Sequence, residues 1–229
     1  MKADITPLIF DGHNDVLLHL YNAGRLSASD SFISGRDGAI DLLKANIGGF
    51  GGGFFAVYVQ SPSNIDFKMQ EMVKPAYDLP LPDAIDWKDA LPAVMAIAAI
   101  LFDLENKGAL KVCRSVADIR GALAACQIAA IFHIEGAEAI DPDLNSLEVL
   151  YQAGLRSIGP VWSRPNIFGH GVPFRYPSGS DIGPGLTDHG KRLVKRCDEL
   201  GVMLDLSHLN AAGFWHVART STKPLVATH

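Results

Sequence analysis

Short apolar runs alternate with amphipathic stretches along most of the chain. The apolar runs predict six β-strands, at residues 7–10, 54–59, 128–134, 156–161, 202–206 and 224–228. Nearly continuous apolar strands that alternate with helices are typical of a parallel sheet covered on both faces. The pattern therefore predicts an α/β fold.

Three helices are predicted between the later strands, over residues 146–154, 190–200 and 210–220. Thr187 is a suitable N-cap for the second helix, because its hydroxyl can accept a hydrogen bond from an otherwise unpaired backbone amide. Gly201 marks the point at which that helix should end. Residues 66–89 form a long excursion ahead of a further helix around 93–107, and excursions of this length are usually functional or mobile.

Six strands of this kind fit either an open doubly wound sheet or most of a (β/α)₈ barrel. A barrel usually takes ~250 residues, and this chain has 229. The chain also stops at His229, directly after an apolar strand and without a closing helix. We therefore expect residues 1–229 to form a single TIM barrel domain that is incomplete at its C-terminus and supplies about six of the eight strands.

The composition excludes several classes of protein. With 48% hydrophobic and 20% charged residues, the chain can bury enough apolar surface to fold. Its net charge is −5 and no basic stripe is present, so nucleic acid and anionic membranes are not expected partners. The most apolar stretch, residues 91–102, contains Pro92 and is shorter than the ~20 residues of a membrane helix.

The three cysteines, Cys113, Cys126 and Cys197, are widely spaced and form no CxxC motif. This spacing favours buried free thiols in a reducing compartment over a disulfide framework. No signal-peptide pattern precedes Asp15,. A cytoplasmic location is the expectation.

The first candidate site is the HxD pattern of His13 and Asp15, after the first predicted strand. Side chains at i and i+2 of extended backbone point the same way, and imidazole and carboxylate are both zinc ligands. Taken alone, the pattern is better explained by a polar turn with an incidental histidine, because HxD sequences are common.

Three further candidates also close predicted strands. Glu135 ends the third strand, where a buried carboxylate is costly unless it is paired or binds a metal,. His133 shares its face and is expected either near the site or as a core histidine. His208 and His229 follow the fifth and sixth strands.

The five residues taken together predict a metal site. Barrel active sites lie at the carboxyl ends of the strands, where all of these side chains fall. Five ligands exceed the capacity of one tetrahedral zinc ion, which favours two metals bridged by the glutamate. Other chemistries lack support: the glycine run at 48–53 has no GK[ST] of a P-loop, and no GxSxG elbow for a nucleophilic serine is present,.

Four strings carry a family resemblance: DGHND (11–15), HIEGAEAI (133–140), LTDHGKRLVKRCDELGVMLDLSH (186–208) and KPLVATH (223–229). They resemble the membrane dipeptidases, also called renal dipeptidase-like metallopeptidases. The resemblance implies a (β/α)₈ barrel of the amidohydrolase type with two zinc ions per subunit. It implies that His13 and Asp15 bind the first metal, that Glu135 bridges both metals as the catalytic carboxylate, and that His208 and His229 bind the second metal.

The chain departs from the family pattern in two places. Trp162 occupies the position at which the mammalian members carry a histidine that contacts the scissile carbonyl. Trp162 and, in the following loop, His170 are therefore the candidate substrate-binding residues. The arginine and acid–base carboxylate of the family are expected beyond His229.

The resemblance implies a zinc-dependent dipeptidase that hydrolyses small dipeptides and tolerates a D-residue at the C-terminal position. A homodimer is possible, with no nucleic-acid or membrane partner. The alternatives are a related amidohydrolase that acts on another amide or a lactone, and an inactive relative that only binds.

Overall fold

The computed structural model describes residues 7–61 and 70–229, without the side chains of Arg25 and Leu26. These residues form two compact units. The first unit comprises the described parts of 1–57 and 94–133, and the second comprises those of 58–93 and 134–229.

The first unit is built on parallel strands. Its elements are β1 (Ile9–Asn14), α1 (Val16–Gly24), a 3₁₀ turn (Arg25–Ala28), α2 (Ser29–Ser34), α3 (Leu42–Gly48), β2 (Phe50–Tyr58), α4 (Trp87–Asn106), β4 (Leu110–Val112), α5 (Val116–Ala124) and β5 (Ile128–Glu135). The ends of β2, α4 and β5 extend into the second unit. The strand order is β1-β2-β5, and β4 also pairs with β5 in parallel.

The second unit holds one parallel strand pair and a short antiparallel ribbon. Its further elements are β3 (Tyr77–Leu79), a 3₁₀ turn (Ala137–Ala139), α6 (Asn145–Ala153), β6 (Leu155–Gly159), β7 (Phe174–Tyr176), α7 (Asp188–Leu200), β8 (Met203–Leu204) and α8 (Ala211–Thr220). Strand β6 pairs with β8 in parallel, and β3 pairs with β7 to form the ribbon. Asp205 and Val226 form a single parallel β-bridge. Of the predicted sixth strand, residues 224–228, all of which the structure describes, Val226 alone forms a β-bridge.

Both units have closely packed apolar interiors. Phe32, Phe55 and Phe132 are fully buried in the first unit, and Phe168 and Leu193 are fully buried in the second. Four of these side chains come from helices and strands, and Phe168 comes from a turn. Leu193 lies on the apolar face of the predicted helix, as its spacing in the sequence indicates,.

The predicted helix signals of the second unit are confirmed. The Thr187 hydroxyl accepts a hydrogen bond from the Gly190 amide at 3.1 Å and caps α7. Gly201 ends that helix with φ = +73°, a left-handed conformation that suits a residue without Cβ,. Asn210 caps α8 in the same way as Thr187.

The first two predicted strands differ from the observed strands in their bounds. The first strand continues from the apolar run to Asn14, and it therefore includes His13 instead of ending before it. The Asn14 amide donates to the Phe54 carbonyl at 3.2 Å, so the polar end of the strand is held in place. The second half of the glycine run, Gly51 to Gly53, lies inside β2 and not ahead of it. Glycine is required at position 52, because a Cβ there would lie 2.2 Å from the carbonyl oxygen of Ala129.

The sequence analysis did not predict the first three helices, β4 or α5. Of the predicted excursion, residues 66–69 lie outside the described residues, and the remainder includes β3 and the start of α4. Among the described residues, no helix has both the length and the apolar character that crossing a bilayer requires.

The structure corrects one of the three cysteine predictions. Cys113 and Cys197 are free and buried, as expected, whereas Cys126 is exposed. Cys126 follows the C-terminus of α5 with φ = +55°. Burial raises the pKa of the Cys113 thiol to about 11, and burial also raises the pKa of the Cys197 thiol.

We expect Gly52→Ala to lower the free energy of unfolding by about 1–3 kcal/mol or more, because the new methyl group meets backbone that cannot swing away,. Gly121→Ala is the matched control. Gly121 lies in α5, and no atom lies within 4 Å of the position that a Cβ would take there, so this variant should be neutral or stabilising by up to ~1 kcal/mol. Urea unfolding curves measure both changes, and equal midpoints would contradict the close strand packing.

Candidate metal centre

Three side chains of the second unit converge on one point. Glu135 ends β5, His208 follows β8, and His229 follows the bridge at Val226. His208 Nε2 lies 3.0 Å from Glu135 Oε1 and 3.0 Å from His229 Nε2. His229 Nε2 lies 3.7 Å from the same carboxylate oxygen. The three strand-end residues predicted from the sequence are therefore neighbours.

The spacing of these three atoms suits a metal ion. Ligand atoms about 2.0–2.2 Å from a tetrahedral zinc ion lie roughly 3.3 Å apart, and the three observed separations bracket that value. One carboxylate oxygen and two imidazole nitrogens are also a donor set that zinc accepts. Glu135, His208 and His229 could thus occupy three corners of a zinc coordination sphere.

Hydroxyl groups lie beside the other ring nitrogens of both histidines. The Ser163 hydroxyl is 3.5 Å from His208 Nδ1, and the Thr228 hydroxyl is 3.0 Å from His229 Nδ1. Each ring is approached on the Nδ1 side, and Nε2 faces the carboxylate. This orientation leaves Nε2 as the coordinating atom.

His208 has a strained backbone. Its φ is +67°, in the left-handed region that a residue with a Cβ rarely adopts,. Its carbonyl accepts a hydrogen bond from the Val172 amide at 2.8 Å. Such a conformation costs on the order of 1–3 kcal/mol and is common at functional sites.

His13 and Asp15 form a second potential ligand pair, in the first unit. His13 Nε2 lies 3.5 Å from Asp15 Oδ1, and the two side chains are 12% and 43% exposed. The i, i+2 spacing therefore brings an imidazole and a carboxylate together. The fully buried ring of His133 packs edge-on against His13, with 6.0 Å between ring centroids.

Trp162 lies in a group of aromatic side chains beside His208. Its ring centroid is 5.1 Å from that of Tyr58, 5.5 Å from Phe174 and 6.2 Å from the His208 ring. An indole here supplies an apolar wall in place of a polar imidazole. Burial raises the pKa of Tyr58, so its hydroxyl stays protonated near neutral pH.

His170 is half-buried, and its own loop occupies one ring nitrogen. Its Nδ1 lies 3.2 Å from the Gly185 carbonyl oxygen, and its backbone carbonyl accepts from the Asn210 amide at 3.5 Å. A substrate-binding role for His170 remains a prediction.

The sequence analysis missed a fully buried ion pair between Arg164 and Glu138. Both side chains are 0% exposed, and Arg164 Nη2 lies 3.0 Å from Glu138 Oε1. Arg164 also donates to the Val59 carbonyl at 2.9 Å and to the Ser61 hydroxyl. Burial raises the pKa of Glu138, while the Arg164 charge opposes that shift.

The Arg164 guanidinium also lies 5.6 Å from the centre of the Trp162 ring, a cation–π distance,. The ion pair therefore packs against the aromatic group formed by Tyr58, Trp162 and Phe174. Glu138 lies within the HIEGAEAI motif and Arg164 follows Trp162 closely, but nothing in the local sequence pairs two residues 26 positions apart.

Comparisons with known proteins extend the resemblance. The sequence profile of the family described as membrane dipeptidase (peptidase family M19) matches residues 5–229. An uncharacterized protein of Acinetobacter calcoaceticus, from the PQQ-III 3′ region, is 36% identical over 227 residues, which cover 96% of this chain and 70% of that protein.

Two solved structures are similar over nearly the whole chain. One is a metallopeptidase of Rhodobacter sphaeroides liganded with a phosphinate mimic of the dipeptide L-Ala-D-Ala. It is 48% identical, with a TM-score of 0.94 over 98% of this chain and 65% of its own. The other, a dipeptidase of family M19 named dipeptidase AC, is 48% identical, with a TM-score of 0.91 over 97% of this chain and 64% of its own. These similarities confirm the predicted fold class, an α/β barrel of which this chain supplies part.

We expect Arg164→Met to lower the free energy of unfolding by about 3–5 kcal/mol, because it leaves the Glu138 charge buried without its partner,. The double variant Arg164→Met/Glu138→Leu removes both charges and should recover much of that loss. Lys191→Met is the control, since it breaks the exposed pair with Asp188 and should cost no more than about 1 kcal/mol. Chemical denaturation compares the three variants, and a double variant no more stable than Arg164→Met would contradict the argument.

Proposed function

Because the chain belongs to the membrane dipeptidase family, peptidase family M19, we propose that the whole protein is a metallo-dipeptidase that hydrolyses the peptide bond of small dipeptides. The observation that carries this proposal is the convergence of Glu135 Oε1, His208 Nε2 and His229 Nε2 within 3.7 Å. A buried carboxylate facing two imidazoles suits a cation better than it suits an apolar core.

The proposed ligands are assigned to two zinc ions. His13 and Asp15 would hold the first ion, His208 and His229 would hold the second, and Glu135 would be a ligand of both. The donor pair in the first unit and the donor triad in the second support this assignment. Zinc bound there would polarise a carbonyl oxygen and lower the pKa of water.

The chain's own residues have separate proposed tasks. Glu135 is proposed as a ligand of both ions, and only 7% of this residue is exposed. The half-buried Trp162 forms an apolar side of the substrate pocket, supported by Tyr58 and Phe174. This wall would contact a substrate side chain and would not donate a hydrogen bond to the carbonyl.

We further propose that a D-residue is accepted at the C-terminal position of the dipeptide. Support comes from the ligand of the Rhodobacter sphaeroides relative, a phosphinate mimic of L-Ala-D-Ala. A homodimer remains a prediction. The free state of all three cysteines is consistent with the proposed cytoplasmic location,.

The metal content tests the ligand assignment. We expect two zinc ions per chain by elemental analysis of the full-length protein after remetallation. Glu135→Ala should weaken both sites, because one carboxylate is proposed to serve both ions. His170→Ala should retain both ions, since its ring contacts the Gly185 carbonyl. A wild-type content near one, or a Glu135→Ala variant that keeps two, would refute the bridging role.

Dipeptide kinetics test the activity and the Trp162 wall. We expect hydrolysis of both L-Ala-D-Ala and L-Ala-L-Ala. Trp162→Ala should change the ratio of their kcat/KM values by about tenfold or more, since a lost pocket contact is worth about 1–3 kcal/mol in discrimination. Its zinc content should not change. Trp215→Ala is the control, because Trp215 is 56% exposed on α8, and it should alter neither quantity.

Other outcomes of the same assay separate the alternatives. An equal loss on every dipeptide would assign Trp162 a purely structural role. Hydrolysis of another amide or a lactone without dipeptide hydrolysis would favour the related amidohydrolase. Zinc binding without any hydrolysis would favour a relative that only binds.

A further inference from the structure

A buried aspartate lies directly after β8 and organises the backbone of two metal-ligand segments. Asp205 is 1% exposed. Its Oδ1 accepts hydrogen bonds from the Ser207 amide at 3.0 Å, the Ser207 hydroxyl at 2.7 Å and the Thr228 amide at 3.1 Å. Its Oδ2 accepts from the Thr228 hydroxyl at 2.6 Å. Asp205 therefore joins the residue before His208 to the residue before His229.

The Thr228 hydroxyl connects this carboxylate to the His229 ring. A hydroxyl has one proton to donate. Both oxygens of the Asp205 carboxylate accept hydrogen bonds, and the 2.6 Å contact in which Thr228 Oγ donates to Oδ2 uses the hydroxyl proton. The remaining contact of this hydroxyl, 3.0 Å to His229 Nδ1, must then be one in which Thr228 Oγ accepts. Nδ1 of His229 therefore carries the ring proton.

The tautomer decides what the other nitrogen can do. With the proton on Nδ1, the neutral ring has its lone pair on Nε2. That atom lies 3.7 Å from Glu135 Oε1 and 3.0 Å from His208 Nε2. The chain Asp205–Thr228–His229 thus presents a metal-binding lone pair to the candidate centre.

We propose that Asp205 and Thr228 are positioning residues, which fix the Nδ1-protonated tautomer of His229 and aim its Nε2 at the metal. The inference rests on the proposed function, in which His229 is a zinc ligand. Partners of this kind orient ligand rings and raise their basicity, and their loss typically costs 10–100-fold in metal affinity.

Variants of the Thr228 side chain can distinguish the orientation of the His229 ring from the support of the backbone. The amide of Thr228 bonds Asp205 independently of the hydroxyl, so Thr228→Val removes the link to the ring and retains the backbone contact. Thr228→Ser retains the hydroxyl and should behave as the wild type. Thr222→Val is the matched control, since the Thr222 hydroxyl also bonds a carboxylate, that of Asp198, at 3.3 Å.

The test has a spectroscopic arm and a binding arm, both on the full-length chain. Long-range ¹H–¹⁵N correlation spectra of metal-free, ¹⁵N-histidine-labelled protein report the tautomer, with the His229 signals assigned from a His229→Gln variant. We expect Nδ1–H in the wild type, in Thr228→Ser and in Thr222→Val, and a loss of this preference in Thr228→Val. Zinc titration should show affinity lowered 10–100-fold in Thr228→Val alone.

The two arms distinguish failure of the inference from failure of the proposed function. An Nε2–H tautomer in the wild-type protein overturns the inference without any variant, and so does a Thr228→Val protein with unchanged tautomer and zinc affinity. Wild-type protein that takes up no zinc refutes the proposed metal centre, whereas the spectra still decide whether Thr228 fixes the ring.

Discussion

The burial of one carboxylate constrains the candidate centre. Glu135 is 7% exposed at the end of β5, and an ionised group so far from water is costly unless opposite charge or hydrogen-bond donors surround it. His208 and His229 meet that carboxylate through their Nε2 atoms. The segment after β8 and the segment after Val226 must therefore both bring their histidines to the C-terminal end of β5. This requirement limits the paths that these two segments can take in the second unit.

The same requirement explains the other buried charges of the second unit. Glu138 lies against Arg164 with both side chains fully buried, and Asp205 receives four hydrogen bonds from Ser207 and Thr228. Arg164 is 26 residues from Glu138, and Thr228 is 23 residues from Asp205, so each of these two carboxylates has a partner from a distant part of the chain. Buried hydrogen bonds and ion pairs require specific distances and angles, so these residues also restrict the surrounding loops to one arrangement. Buried polar contacts, more than apolar area, specify the shape of this site.

The sequence predicted those features of the fold and site whose cause is local. Thr187 and Gly201 identify the ends of α7 because capping depends on a few adjacent residues,. His208 and His229 were found because each follows an apolar strand, and strand ends meet at one edge of a parallel sheet. The positions of His13 in β1 and of Gly51 to Gly53 in β2 were not predicted, because they depend on contacts with strands that are distant in the sequence. Asn14 bonds the Phe54 carbonyl, and Gly52 lies against Ala129.

The pairing of Arg164 with Glu138 shows most clearly why the remainder could not be predicted. An arginine between serine and proline in a loop looks like an exposed charge, yet Arg164 is fully buried, with its guanidinium 5.6 Å from the centre of the Trp162 ring. Trp162 in turn packs beside His208, a proposed zinc ligand with a strained backbone. Trp162, which is proposed to line the substrate pocket, is therefore not an isolated side chain. The Arg164 guanidinium, paired with Glu138, lies against one side of the indole, and the His208 ring lies 6.2 Å from it. The indole at position 162 therefore contributes to the packing of its loop as well as to the proposed pocket.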